Sequence, residues 1–329
     1  MHRVERGSVL RELSFYRLVQ DDLARVEAVL RERPPGQHSA IGDALEYLIG
    51  GGGKRIRPIL VLLSAHLCGA DTDRAVWAAA GTEMLHTATL IHDDLIDGSL
   101  MRRGAETLNS RWSPGATVLT GDYAFARAAH LVARAGSVRL TRRFAETLMV
   151  ICNGEIHQMF DGRRGEGTRE EYERRIYAKT ASLIALSAEA GAILAEAGEE
   201  VIQALRTYGE WLGLAFQMVD DVLDFVADEE TLGKPVGSDL RQGLVTLPVL
   251  LFLEQNPDHP VVRAALDAPS QDAVEAAVRV IAASPAIEAS LAEARSRIDQ
   301  AVDALGPLPS GPYRTALVDL ARFVVRRRF

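Results

Sequence analysis

An all-α fold is predicted for this chain on three observations. Apolar and small residues recur in steps of three and four, as at Trp77, Ala80, Met84, Ala88, Ile91 and Leu95; that is the period of a helix buried on one face. No stretch alternates polar and apolar residues as a half-buried strand does, and alanine and leucine dominate. Helix-starting and helix-stopping residues punctuate the runs at ordinary helical lengths. No solenoid-length repeat is evident. One domain over residues 1–329 is expected, with an N-terminal helical arm at 1–40 and a core at 41–329.

The elements follow in order. Residues Ser8 to Arg33 form a surface helix with Leu10, Leu13, Val19, Leu23, Val26 and Leu30 as its inner stripe, ended by Pro34-Pro35-Gly36. A short helix from Ile41 to Ile49 closes at Gly50-Gly51-Gly52-Gly53, and another opens at Pro58. Ala75 to Asp97 is a long, proline-free helix. Asn109 to Thr120, with Pro114 and Gly115, is expected to be a connection, and the next helix to start at Gly121. Arg139 to Phe160 is helical, and it ends in the polar glycine loop Asp161 to Gly167. Thr168-Arg169-Glu170-Glu171 is a capping box, so a helix starts there and runs through Lys179 to Ala197. The run from Trp211 to Val226 is apolar nearly all round and therefore buried. Leu232 to Asp239 is turn-rich, Thr246-Leu247-Pro248 opens an apolar helix to Leu253, and amphipathic helices fill the remainder to Phe329.

Composition excludes some functions. A formal net charge of −8 argues against general nucleic-acid binding. Cys68 and Cys152 sit in apolar contexts and read as small buried hydrophobes in a reducing compartment. The N-terminus lacks an apolar signal core, and the longest apolar candidate, residues 59–70, is interrupted by Ser64 and His66. The expectation is a cytoplasmic protein with at most peripheral membrane contact, the latter through Arg326-Arg327-Arg328.

Two stretches carry the chemistry. Asp93-Asp94-Leu95-Ile96-Asp97 ends the long helix, and Asp93 and Asp97, four apart, share one face. Like charges so placed repel, and on a mostly buried helix they need a cation between them. A solvated, fraying helix end is the competing explanation. Asp220-Asp221-Val222-Leu223-Asp224 repeats the pattern inside a buried helix, where three aspartates are costly unless paired or metal-bound. Two such triads favour a two-sided metal site over two acidic surfaces. Carboxylate oxygens suit Mg²⁺, which keeps waters and takes one or two carboxylates plus phosphate oxygens. His92 is read as structural, because magnesium prefers oxygen.

Basic residues lie near the acidic ones in sequence. Gly52-Gly53-Lys54 is not a P-loop, because Leu48 stands at the first glycine position and Arg55 at the Ser/Thr position. A glycine turn still brings basic side chains close to an anion, so Lys54 and Arg57 are candidate diphosphate ligands, against the alternative of a solvated basic loop. Arg102-Arg103 follows the first triad, with a salt bridge back to Asp97 as the competing explanation. Lys179, on an apolar segment, needs an anionic partner or else snorkels.

On these residues the chain resembles the trans-isoprenyl diphosphate synthases of the polyprenyl synthetase family from about Ile41 to the C-terminus. Gly52-Gly53-Lys54-Arg55-Ile56-Arg57-Pro58 resembles the family's isopentenyl-diphosphate motif, and Asp93 to Asp97 with Arg102-Arg103 its first aspartate-rich motif. Lys179-Thr180, Gln217, Asp220 to Asp224 and Gly233-Lys234 resemble the remaining allylic-site elements. The resemblance implies a helical prenyltransferase bundle, usually homodimeric, with the two motifs facing each other across a central cavity. It implies that Lys54, Arg57, His86 and Arg103 hold the diphosphate of isopentenyl diphosphate. Asp93, Asp97 and Asp220 would bind Mg²⁺ directly, with Asp94, Asp221 and Asp224 in support. Arg102, Lys179, Thr180, Gln217 and Lys234 would contact the allylic diphosphate, and of these Arg102, Lys179 and Lys234 would also help its departure. One departure from the family pattern is Leu244 after Gly243, where a lysine is common.

The expected reaction is ionisation, condensation and elimination, lengthening the allylic chain by five carbons. Thr89, beside Ala88, lies one turn above Asp93 and Leu85 one turn further. Each turn rises about 5.4 Å, close to one extended isoprene unit. Small side chains at 88 and 89 leave the floor open, so a product of C25 or longer is expected. The alternatives are a farnesyl or geranylgeranyl diphosphate synthase, a class I terpene cyclase, or a non-catalytic partner subunit. The basic pair at 54 and 57 and the second full aspartate motif argue against the cyclase, and the survival of all six aspartates argues against a non-catalytic subunit.

Overall fold

The computed structural model describes residues 13–51, 53–102, 104–161, 167–226 and 236–326. Its helices are α1 (Ser14–Arg17), α2 (Gln20–Arg31), α3 (Ser39–Gly50), α4 (Ile56–Cys68), α5 (Thr72–Ile96), α6 (Leu108–Arg111), α7 (Pro114–Arg134), α8 (Val138–Asp161) and α9 (Arg169–Ile176). A π-helical turn, Tyr177–Ala181, leads into α10 (Ser182–Leu194), followed by α11 (Glu199–Val226) and α12 (Ser238–Arg241). The chain then forms α13 (Leu247–Gln255), α14 (Pro260–Asp267), α15 (Gln271–Ala282), α16 (Ala286–Ala304) and α17 (Pro312–Arg326). The all-α expectation holds, with one exception among the described residues. Met101–Arg102 (β1) and Ala105–Glu106 (β2) pair as a tiny antiparallel hairpin. Two-residue strands are too short to show an alternating pattern.

Two compact units are present. The first draws on Met1–Glu146, Leu183–Thr207 and Ala304–Leu320, and the second on Thr147–Ser182, Tyr208–Asp303 and Ala321–Phe329. The spine of the first is α5, buried almost all round between Ala75 and Ala88. Its start is capped by Asp71, whose carboxylate accepts from the Arg74 amide at 2.9 Å. Helix α7 lies close enough to α5 that a Cβ on Gly121 would meet His92 Nε2 at 2.2 Å. The second unit has a contiguous core from Tyr172 and Ile176 through Met218 and Phe225 to Val249, Val274 and Ile281.

One boundary is corrected. The stretch read as a connection up to Thr120 contains the start of α7 at Pro114, with Ser113 as its cap. Serine followed by proline is a helix-start pair, since proline lacks only an amide the first turn leaves unbonded anyway. The capping box at Thr168 is present, with reciprocal bonds to Glu171 of 2.9 and 3.2 Å. No described helix is long and apolar enough to cross a membrane.

Candidate active site

In the first unit the residues singled out from sequence gather on α5 and the turns around it. His86, Thr89, Leu90 and Asp93 are half-buried and Asp97 is exposed, so one stripe of α5 stays open along its last three turns. Asp94 points the other way and is 3% exposed. The β1–β2 hairpin, turning at Gly104 with φ +72°, brings Arg102 back so that its Nε donates to Asp94 Oδ1 at 2.7 Å. Arg102 thus forms a salt bridge back into the triad, with Asp94 as its acceptor. Burial raises the Asp94 carboxyl above its ordinary range, and the Arg102 guanidinium opposes that rise. Arg103 lies outside the described residues.

Lys54 and Arg57 flank the start of α4, both half-buried. Between them Arg55 adopts a left-handed backbone, φ 50° and ψ 34°, which is unusual for a residue with a side chain. Its guanidinium donates to Glu27 Oε1 at 2.5 Å, Glu83 Oε1 at 2.9 Å and the Ile49 carbonyl at 2.7 Å. Glu83 is buried in α5 and Glu27 lies on α2. Arg55 is thus a latch that joins the N-terminal arm, the glycine turn and the aspartate-bearing helix. Arg55→Ala strands the buried Glu83 carboxylate, and urea denaturation should show a loss of about 3 kcal/mol.

His92 Nε2 lies 3.2 Å from the Val118 carbonyl, and its ring packs on Phe125 at 5.1 Å, consistent with a structural role. Leu85 and Ala88 are fully buried, whereas Thr89 is half-buried with its hydroxyl donating to the His86 carbonyl at 2.8 Å. Ala88 and Thr89, treated alike in the sequence reading, are therefore different positions.

The second unit collects Lys179, Thr180, Gln217 and the second triad. Asp220 is half-buried, while Asp221 and Asp224 are buried. Asp221 Oδ2 accepts from the Tyr172 hydroxyl at 2.8 Å and Oδ1 from Gln217 Nε2 at 2.9 Å. Gln217 Oε1 in turn accepts from Thr180 Oγ1 at 2.7 Å. Burial and the charge of Asp239 push the Asp221 carboxyl up, against the two hydrogen bonds that favour its ionised form. Asp224 Oδ2 accepts from the Asp239 amide at 3.1 Å and so ties α11 to the segment around α12. Lys179 finds an anionic partner in Glu155, its Nζ 3.7 Å from Oε1. Lys234 lies outside the described residues. The Leu244 amide donates to the Asp239 carbonyl at 2.9 Å.

Three contributors were not legible from sequence: Tyr172, Glu155 and the Arg55 latch. Tyr172 stands 49 positions from Asp221, and nothing local marks a tyrosine on an apolar helix face as a carboxylate donor. The π turn carries no local signal either, since Tyr177–Ala181 has the pattern of an ordinary helix. Such turns often mark functional positions.

Chemically, each triad is divided. Its second aspartate is buried and held by protein donors, and its first remains accessible. Among the described residues no group of three or more His, Cys, Asp or Glu side chains is assembled to hold a metal ion by itself. The accessible carboxylate oxygens of each triad are by their chemistry ligands for a hard ion completed by phosphate oxygens and water.

A family model described as polyprenyl synthetase matches residues 38–281. The chain belongs to the polyprenyl synthetase family. It is 40% identical over 320 residues to heptaprenyl diphosphate synthase component 2 of Geobacillus stearothermophilus, covering 96% of this chain and 99% of that one. It is 37% identical to octaprenyl diphosphate synthase of Escherichia coli (strain K12), covering 94% and 97% of the two chains. A crystal structure of polyprenyl synthase from Caulobacter crescentus, complexed with calcium and isoprenyl diphosphate, superposes with a TM-score of 0.90 at 38% identity, covering 96% and 98%. The polyprenyl synthetase described here is a transferase of prenyl groups with the all-α fold of that family.

Proposed function

We propose that this synthetase condenses isopentenyl diphosphate with an allylic diphosphate primer, in a Mg²⁺-dependent reaction, to products of C25 or longer. The observation that carries the reading is the division of the two triads. The aspartates expected to bind metal directly, Asp93, Asp97 and Asp220, are the accessible ones. The supporting ones, Asp94, Asp221 and Asp224, are buried on protein donors. Similarity to a heptaprenyl and an octaprenyl diphosphate synthase supports the product length.

Lys54, Arg57, His86 and Arg103 orient isopentenyl diphosphate by its phosphates. Arg102, Lys179, Thr180, Gln217 and Lys234 hold the allylic diphosphate, and the positive charges of Arg102, Lys179 and Lys234 stabilise the leaving group as the carbon–oxygen bond breaks. Bound Mg²⁺ supplies further neutralisation of that diphosphate. The allylic cation is attacked by the isopentenyl double bond, forming one carbon–carbon bond. A proton then leaves the adjacent carbon for the departed diphosphate, restoring a double bond. With Leu244 in place of a lysine, primer binding relies on the remaining cations.

The test is incubation with isopentenyl diphosphate, Mg²⁺ and a short allylic primer, followed by product chromatography. Elongated chains of C25 or more are expected. Cyclised hydrocarbon from the primer alone, or no product, would overturn the assignment.

The reading extends to a cytoplasmic homodimer. Met149, Ile156, Met159 and Phe160 leave an apolar stripe exposed on α8, which is the kind of surface a partner covers. Sedimentation of the wild type should give a dimer, and Ile156→Asp should shift it to monomer.

A further inference from the structure

We propose that Gly154 and Gly213 are positioning residues for the allylic diphosphate. Lacking side chains, they give the π turn Tyr177–Ala181 room to form, and that turn aims Lys179 and Thr180. The inference rests on the reading that Lys179 and Thr180 contact that diphosphate.

A π turn carries an extra residue, so its backbone bulges from the helix and side chains beyond it are rotated from their α-helical directions. The bulge needs space on the helices beside it. A Cβ on Gly154 of α8 would lie 2.4 Å from Ala178 Cβ. A Cβ on Gly213 of α11 would lie 2.4 Å from Ala181 Cα and 2.8 Å from its Cβ. A Cβ does not approach the atoms of another residue so closely unless something shifts. Glycine within a helix is less stable than alanine, so two such glycines against one turn call for a reason.

The proposed ligands supply it. Glu155, next to Gly154, reaches Lys179 Nζ at 3.7 Å. Gln217, one turn after Gly213, accepts from Thr180 Oγ1 at 2.7 Å. Each close approach therefore sits beside a contact that orients one residue of the Lys-Thr pair. The partners at the two contacts are themselves small, Ala178 and Ala181, so little slack is left for a methyl group.

The two contacts differ in a way that can be tested. At Gly154 the obstructing atom is a side-chain Cβ, which Ala178→Gly removes. At Gly213 the nearest obstruction is a backbone Cα, which no substitution removes. Gly154→Ala should raise KM for the allylic primer about tenfold, given the cost of misplacing a binding group by a fraction of an ångström, and change KM for isopentenyl diphosphate by less than about twofold. Gly154→Ala with Ala178→Gly should return the primer KM to within about twofold of wild type, whereas Gly213→Ala with Ala181→Gly should stay impaired. A general packing defect would lower stability without separating the two KM values.

Lys179→Ala is the control, and it should itself raise the primer KM about tenfold or more. If it does, while Gly154→Ala leaves the primer KM unchanged or Ala178→Gly fails to restore it, the positioning role is overturned. If Lys179→Ala has no effect on the primer KM, the assignment of Lys179 falls, and the glycine role falls with it. Should Gly154→Ala alone fold poorly, the double variant, free of the clash, still decides by its primer KM.

Discussion

Asp93→Asn combined with Asp97→Asn should lower kcat/KM by about a thousandfold or more, because it removes charge that acts on the departing diphosphate through bound metal. Asp93 and Asp97 lie in the last turn and C-cap of α5. Thermal unfolding with and without Mg²⁺ reads the loss of the ion site apart from activity. The wild type should be stabilised by the ion through mass action and the variant should not. Asp94→Ala should act on the fold itself. It removes the acceptor of Arg102 from a buried position, costing about 1–3 kcal/mol of stability, and it raises the primer KM because Arg102 loses its anchor. Equal loss of stability in the two variants would contradict the division within the triad.

Thr89→Phe should shorten the product by at least one isoprene unit with the protein still folded. Thr89 lies on the open stripe of α5, one turn above Asp93, and an aromatic ring there fills the space a growing chain would enter. Ala88→Phe, which the sequence treats as equivalent, should mainly destabilise. Ala88 is 0% exposed, and forcing a ring into a packed position costs about 1–3 kcal/mol or more. Product chromatography beside thermal unfolding separates the two outcomes. Unchanged chain length in Thr89→Phe would show that the floor is set by other helices.

Much of this was legible in the residues. The helical period of α5, the capping box at Thr168 and the two aspartate triads are local patterns, each written within one or two turns of chain. The start of α7 is equally local, in Ser113-Pro114, but proline and glycine together also resemble a turn, which hides it. The hairpin that carries Arg102 was beyond such reading, since two-residue strands have no period.

The sequence by itself determined the fold class, most helix boundaries and the identity of the acidic and basic residues, because period, capping and charge act over a few neighbouring positions. Only the tertiary structure decided which aspartate of each triad is buried on a donor, where Arg55 anchors, and that the Lys-Thr pair sits on a π turn. Tyr172 for Asp221 and Gly154 for Ala178 are partners tens of positions away, and Arg102 reaches Asp94 from eight positions on only because the hairpin turns back. Packing brings them within a few ångströms, and no local rule of the chain encodes that distance.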